Sequence, residues 1–281
     1  MVRIVEVAPR DGLQNYSRAF STAAKIAFID TLSRSGLPVI EAASFVNPTA
    51  VPLMADAAEV MQGIDRLSGV RYLALVPNQK GLDRAVASGV DSVAVFASVS
   101  ETFSQRNINC SVAESLERFT PVLARARQEG IWVRGYISMA FACPFEGAID
   151  PYATGALAAT LLEMGGDEIC LADTIGAATS EQTAAVLDAT LTRVPADRLA
   201  LHMHDTYGQA VDNIDIAHER GIRVFDAAAG GMGGCPFAPG AAGNLATERL
   251  VEHLDARGIP HGVDIALVRA AIADLLASPA V

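Results

Sequence analysis

A chain of 281 residues, 51% apolar and 19% charged, is long enough to bury one large α/β core. Its formal net charge of −11 and isoelectric point near 4.9 argue against nucleic acid or an anionic membrane surface as the main partner. Four scattered cysteines with no Cys-x-x-Cys, no uncharged apolar run of bilayer length and strand-like sequence from Val2 onwards point to a reducing, cytoplasmic setting without a signal segment.

Short β-rich runs then alternate with longer Ala- and Leu-rich amphipathic ones. Strands are expected at Arg3–Ala8, Val39–Ser44, Arg71–Val76, Ser92–Ala97, Trp132–Met139, Glu168–Ala172, Leu199–His204 and Arg223–Ala227. Helices fall between them, among others over Thr22–Ser35, Ser111–Glu129, Tyr152–Met164, Ser180–Val194 and Tyr207–Glu219. Start signals stand at Ser21-Thr22, Asp150-Pro151 and Ser180 with Glu181-Gln182 behind it; Gly36, Gly89, Gly130 and Gly221 mark ends. Eight β-then-α units in a chain of this size predict a parallel (β/α)8 TIM barrel, a single catalytic domain over residues 1–281. An open doubly wound sheet is the alternative, but no Gly-x-Gly-x-x-Gly follows the first strand.

A barrel keeps its chemistry at the C-terminal ends of its strands, and polar residues collect there. The first strand runs into Pro9-Arg10-Asp11-Gly12, the second carries Glu41, and the seventh ends in His202-Met203-His204. Strand side chains alternate, so the two histidines share a face, as a ligand pair or as two satisfied core residues. The last strand leads into a glycine-rich stretch, Gly230 to Gly243, that holds Cys235 and is followed by Asn244. Glu6, Glu41, Arg134 and Asp173 interrupt apolar runs, a cost met either by buried ion pairing or by orienting functional groups.

Asp11, His202, His204 and Asn244 together offer one carboxylate, two imidazoles and one amide oxygen. That set suits Mg or Mn with open coordination positions and tolerates Zn or Co. Arg10 beside a ligand can hold developing enolate charge, its plainer reading being a surface or salt-bridging arginine. Cys235 can move a proton near neutral pH or, as cysteines more often do, lie buried and inert.

Val5–Asn15, Glu41–Pro48, His202–Gln209 and Gly233–Phe237 with Asn244–Glu248 are joined by Asn107–Ser111, Arg134–Tyr136 and Asp173–Gly176. In combination these stretches resemble the hydroxymethylglutaryl-CoA lyase family over nearly the whole chain. The resemblance implies a metal-dependent lyase that splits 3-hydroxy-3-methylglutaryl-CoA into acetyl-CoA and acetoacetate. It makes Asp11, His202, His204 and Asn244 the ligands, Arg10 the enolate stabiliser, and Glu41 and Cys235 active-site residues. The base is Asp11, His202 or a water. The implied partner is an acyl-CoA, with neither nucleic acid nor membrane, and a homo-oligomer such as a dimer is left open. The chain departs from the family at Tyr16, where Glu is usual, at Ser17, where a basic residue is common, and at Phe145, often Tyr. A lyase for another 3-hydroxy-3-alkylglutaryl-CoA and a Claisen-type synthase of the same metal-barrel superfamily are the alternative readings.

Overall fold

In the computed structural model, which describes residues 1–234 and 243–279, eight strands close into a parallel barrel. They are β1 (Arg3–Glu6), β2 (Val39–Ser44), β3 (Arg71–Leu75), β4 (Ser92–Ser98), β5 (Trp132–Ser138), β6 (Glu168–Asp173), β7 (Leu199–Met203) and β8 (Val224–Ala227). Their order around the barrel is β1-β8-β7-β6-β5-β4-β3-β2, with helices in the connections, as the alternating pattern predicts. Contacts divide the chain into two units, one made of Met1–Val93, Asp226–Gly234 and Gly243–Val281, the other built on Ala94–Phe225.

In the first unit β1 pairs with β2 through Val5↔Val39 and Glu6↔Ile40. All six residues of β2 are buried, as a strand covered on both faces must be. Between Glu41↔Leu73 and Ala43↔Ala74 the β2–β3 register shifts, so Ala42 is one residue more than β3 matches. Helix α1 (Thr22–Ser33) starts where Ser21 Oγ accepts from Ala24 N at 3.2 Å, and it packs on α10 (Ile265–Ala277).

The first strand is shorter than expected, ending at Glu6. Ala8–Gly12 instead winds into a π-type turn, in which the N–H groups of Arg10, Asp11 and Gly12 all donate to Val7 O at 3.2, 2.8 and 3.2 Å. Pro9 sits at the start of this turn, where its missing N–H costs nothing. Wide turns of this kind are rare and concentrate at functional sites.

In the second unit β5 pairs with β6 from Arg134↔Glu168 to Ile137↔Leu171, and β6 with β7 from Ile169↔Leu199 to Asp173↔Met203. Helix α5 (Val112–Glu129) opens on a capping box: Ser111 Oγ accepts from Glu114 N, and Ser111 N donates to Glu114 Oε2 at 2.7 Å. Its end falls at Gly130, with φ +69°, the left-handed conformation glycine adopts without steric cost. Helix α7 (Ser180–Leu191) is capped by Thr179, one residue before the expected Ser180, because Gln182 and not Glu181 stands at the reciprocal position.

Two features beyond β5 have no counterpart in the sequence reading. Ala142–Cys143 and Gly147–Ala148 form a small antiparallel hairpin. Met139 is fully buried with φ +56°, and its N–H donates to Thr174 Oγ1 at 3.0 Å. A bulky residue held in that conformation stores backbone strain.

Candidate active site

The first unit gathers four of the expected site residues. The turn after β1 presents Arg10 and Asp11, β2 presents Glu41, and the segment before α9 (Thr247–Ala256) presents Asn244. The Arg10 guanidinium, 8% exposed, donates from Nε to Glu41 Oε2 at 2.8 Å, and its Nη2 lies 2.6 Å from the same oxygen. Nη1 reaches Asp11 Oδ1 at 2.5 Å. Burial pushes the Glu41 carboxyl up from its ordinary range, while Arg10 pulls it back down. A single cation thus lies between two carboxylates and is held by both.

Asp11 is engaged on its other side as well. Asn244 Nδ2 donates to Asp11 Oδ2 at 2.8 Å and to Met232 O at 2.9 Å. Two acceptors on that nitrogen fix the orientation of the amide. The opposite atom, Asn244 Oδ1, is sealed from solvent and accepts no hydrogen bond from the described residues. A buried oxygen without a donor is costly in a protein and is what a hard divalent cation satisfies, so the donor set fits such an ion. Gly233, at φ +111°, permits this approach; a Cβ there would stand 2.5 Å from Asn244 Nδ2.

The second unit brings together the two histidines. His202 belongs to β7 and His204 follows it, both almost fully buried, with ring centroids 5.3 Å apart. That separation fits two side chains on one face of a strand, with Met203 buried between them. The Tyr136 ring meets His202 edge-on, with centroids 6.3 Å apart and planes at 84°. Arg134 Nη1 donates to Tyr136 Oη at 3.0 Å, and Arg134 Nε lies 3.1 Å from Glu168 Oε1. Arg134 is therefore the buried ion pair of the plainer reading, and it also steadies a ring that touches His202.

Asp173, at the end of β6, accepts from Ala177 N at 3.1 Å and Ala178 N at 2.9 Å, which folds the following loop back on itself. Burial lifts its pKa to about 6, against the pull of those N–H groups and of His202. Glu6, another interrupting carboxylate, makes no ion pair with the described residues but accepts three hydrogen bonds. Cys235 lies outside the described residues. Tyr136 and Thr247, which bonds Glu6, were given no role from sequence; each stood inside a quoted stretch, but nothing local revealed its partner.

A closed parallel barrel with carboxylate, guanidinium, imidazole and amide groups at and just beyond its strand ends is a (β/α)8-barrel enzyme. More narrowly, the chain belongs to the HMGL-like family, whose family model matches residues 1–275. It is 53% identical over 264 residues to the cytoplasmic 3-hydroxy-3-methylglutaryl-CoA lyase of Danio rerio, covering 94% of this chain and 79% of that protein. It is 52% identical to a 3-hydroxy-3-isohexenylglutaryl-CoA/hydroxy-methylglutaryl-CoA lyase of Pseudomonas aeruginosa, over 94% of this chain and 88% of that one.

Among solved structures, the HMG-CoA lyase of Brucella melitensis superposes with a TM-score of 0.96 at 50% identity, over 98% of both chains. An HMG-CoA lyase of Acinetobacter baumannii in complex with coenzyme A and 3-methylmalate gives 0.93 at 39%, over 99% of this chain and 92% of that one. Relatives at this level include both cytoplasmic and mitochondrial proteins. Among the described residues, no helix is long and apolar enough to cross a membrane.

Proposed function

We propose that this protein is a hydroxymethylglutaryl-CoA lyase, cleaving 3-hydroxy-3-methylglutaryl-CoA to acetyl-CoA and acetoacetate at a divalent ion held by Asp11, His202, His204 and Asn244. In the first unit Asp11 offers a carboxylate and the buried Asn244 Oδ1 an amide oxygen, and in the second His202 and His204 offer two imidazoles. Mg or Mn suits this mixed set, and Zn or Co is compatible with it. Bound there, the ion supplies Lewis-acid polarisation of the substrate's oxygens.

The chain's own residues account for the rest. Removal of the proton from the tertiary hydroxyl, by Asp11, His202 or a water, lets the C2–C3 bond break. Its electron pair passes to the thioester carbon–oxygen unit as an enolate, and C2 then takes up a proton, on this reading from Cys235. Arg10 balances the enolate charge as it forms, and Glu41 keeps the guanidinium from turning away. Residues 1–281 act as one catalytic domain, in the cytoplasm, on an acyl-CoA.

The observation that carries this reading is the buried chain Glu41–Arg10–Asp11–Asn244, which ties the cation of the site to a carboxylate and an amide that can face a metal. The test is acetoacetate release from hydroxymethylglutaryl-CoA with added Mg or Mn. Steady release that needs the metal supports the assignment, and no release under any metal overturns it.

The second reading, a lyase for a substrate with a longer 3-alkyl group, is favoured by the Pseudomonas aeruginosa relative whose name carries both substrates. Tyr16 and Ser17, just beyond the Arg10–Asp11 turn, are where such specificity would be set. A higher kcat/KM on the isohexenyl thioester than on the methyl one distinguishes it.

A further inference from the structure

We propose that Glu6 is a positioning residue, whose carboxylate pins the turn bearing Arg10 and Asp11 to the two segments that flank residues 235–242 and deliver Asn244. The inference rests on the reading of those residues given above. Glu6 ends β1, is completely buried, and uses both oxygens. Oε1 accepts from Ala8 N at 2.9 Å and from Ala229 N at 2.8 Å; Oε2 accepts from Thr247 Oγ1 at 2.7 Å.

Each donor opens a different piece of the site. Ala8 is the first residue of the turn that carries Arg10 and Asp11. Ala229 begins the short turn Ala229–Gly231, which leads to Met232, whose carbonyl receives the Asn244 amide. Thr247 is the first residue of α9, three positions after Asn244. The parallel bridge between Ala228 and Ala246 runs alongside. A carboxylate is suited to this junction because its two oxygens accept several bonds and donate none, and all three donors belong to segments that sequence separates by up to about 240 positions.

An amide of the same length can do the same work. In Glu6→Gln the carbonyl oxygen still accepts both backbone N–H groups, while the new NH2 donates to the Thr247 hydroxyl oxygen. Glu6→Asp keeps the charge but draws the carboxylate back by one methylene, out of reach of at least one donor. Geometry, not charge, is therefore what the pair of variants separates.

Hydrogen exchange on the metal-free protein, Mn binding followed by electron paramagnetic resonance, and kcat with KM are measured for both. Glu6→Asp should speed exchange at least tenfold in residues 8–13, 228–234 and 243–248 together, with the remaining barrel unchanged. It should also weaken Mn binding by about 10–100-fold, the usual effect of removing a group that orients ligands. Glu6→Gln should stay within about threefold of the parent in exchange at pH 5, and in Mn affinity and kcat. Parent-like exchange and Mn affinity in folded Glu6→Asp overturns the proposal, as does Glu6→Gln proving as damaging as Glu6→Asp.

If Glu6→Asp does not fold, Thr247→Val cuts one of the three bonds. Faster exchange over 243–248 with weaker Mn binding supports the role, and no change in either overturns it. A parent that neither binds Mn nor cleaves the thioester removes the metal reading, while the exchange pattern still decides the role of Glu6.

Discussion

Arg10 gives up no freedom when charge develops beside it, because Glu41 and Asp11 already hold its fork in place. A preorganised donor of this kind acts mainly on the transition state. Arg10→Gln should therefore lower kcat by about 10²–10³ while KM changes by only a few-fold. Equal losses in both constants would assign Arg10 to substrate binding instead. Lysine is no substitute here, since an ammonium cannot reproduce two bonds to Glu41 and one to Asp11 from a planar fork.

Glu6 offers a prediction in pH. Burial raises its pKa from 4.5 to about 7, so the folded protein binds a proton that the unfolded chain has already released at intermediate pH. Stability from this group is complete below about pH 4.5 and is lost as the pH climbs through about 7, in total about 3 kcal/mol. Glu6→Gln cannot titrate, and its urea midpoint should exceed the parent's at pH 8 but not at pH 5. A parent and variant that keep the same difference at both pH values would remove Glu6 as the source.

At the scale of elements, the capping motifs allow a calibrated test. Thr179 and Gln182 satisfy each other's backbone N–H at the start of α7, far in sequence from Arg10 and Asn244. Thr179→Ala should cost about 1 kcal/mol and lower Tm by only a few degrees in a chain of this size, with kcat intact. Calorimetry beside an activity assay checks both halves.

Elements of this kind were legible because their signals are local. Serine, threonine and aspartate caps, terminal glycines and the spacing of apolar residues predict a strand or helix from its own neighbourhood, and strand ends here fall within about two residues of expectation. The turn Ala8–Gly12 was not legible. Three of its N–H groups converge on Val7 O, a wide geometry that Ala-Pro-Arg-Asp-Gly does not advertise.

Site residues divide the same way. His202 and His204 announced themselves through alternation, whereas the partners of Glu6 are more than 220 positions away and left no mark in sequence. Tyr136 is intermediate: its place in β5 was predicted, but its contact with His202 depends on the register of β5, β6 and β7.

For the whole molecule, buried apolar residues run from Val2 through Leu275 among the described residues, and their burial draws on no ion. Chelation should abolish turnover and leave far-UV circular dichroism unchanged, with Mg or Mn restoring activity. Collapse of the dichroism on chelation would make the metal a structural one. The net charge of −11 means that an anionic thioester approaches against the overall field. Arg10, almost completely buried and already shared by two carboxylates, has little positive potential left to draw it in from a distance.

The unmatched residue in β2 sets the parity of everything after it. Glu41 and Ala43 would share a face in an unbroken strand; with Ala42 as the unmatched residue, Ser44 takes Glu41's side instead, fully buried and with a hydroxyl that makes no hydrogen bond to the described residues. The strand thus has a reading frame of its own. Deleting Ala42 would make Glu41, Ala43 and Ser44 consecutive against Leu73, Ala74 and Leu75, so Ser44 would stay on Glu41's side and only the local bend would be lost.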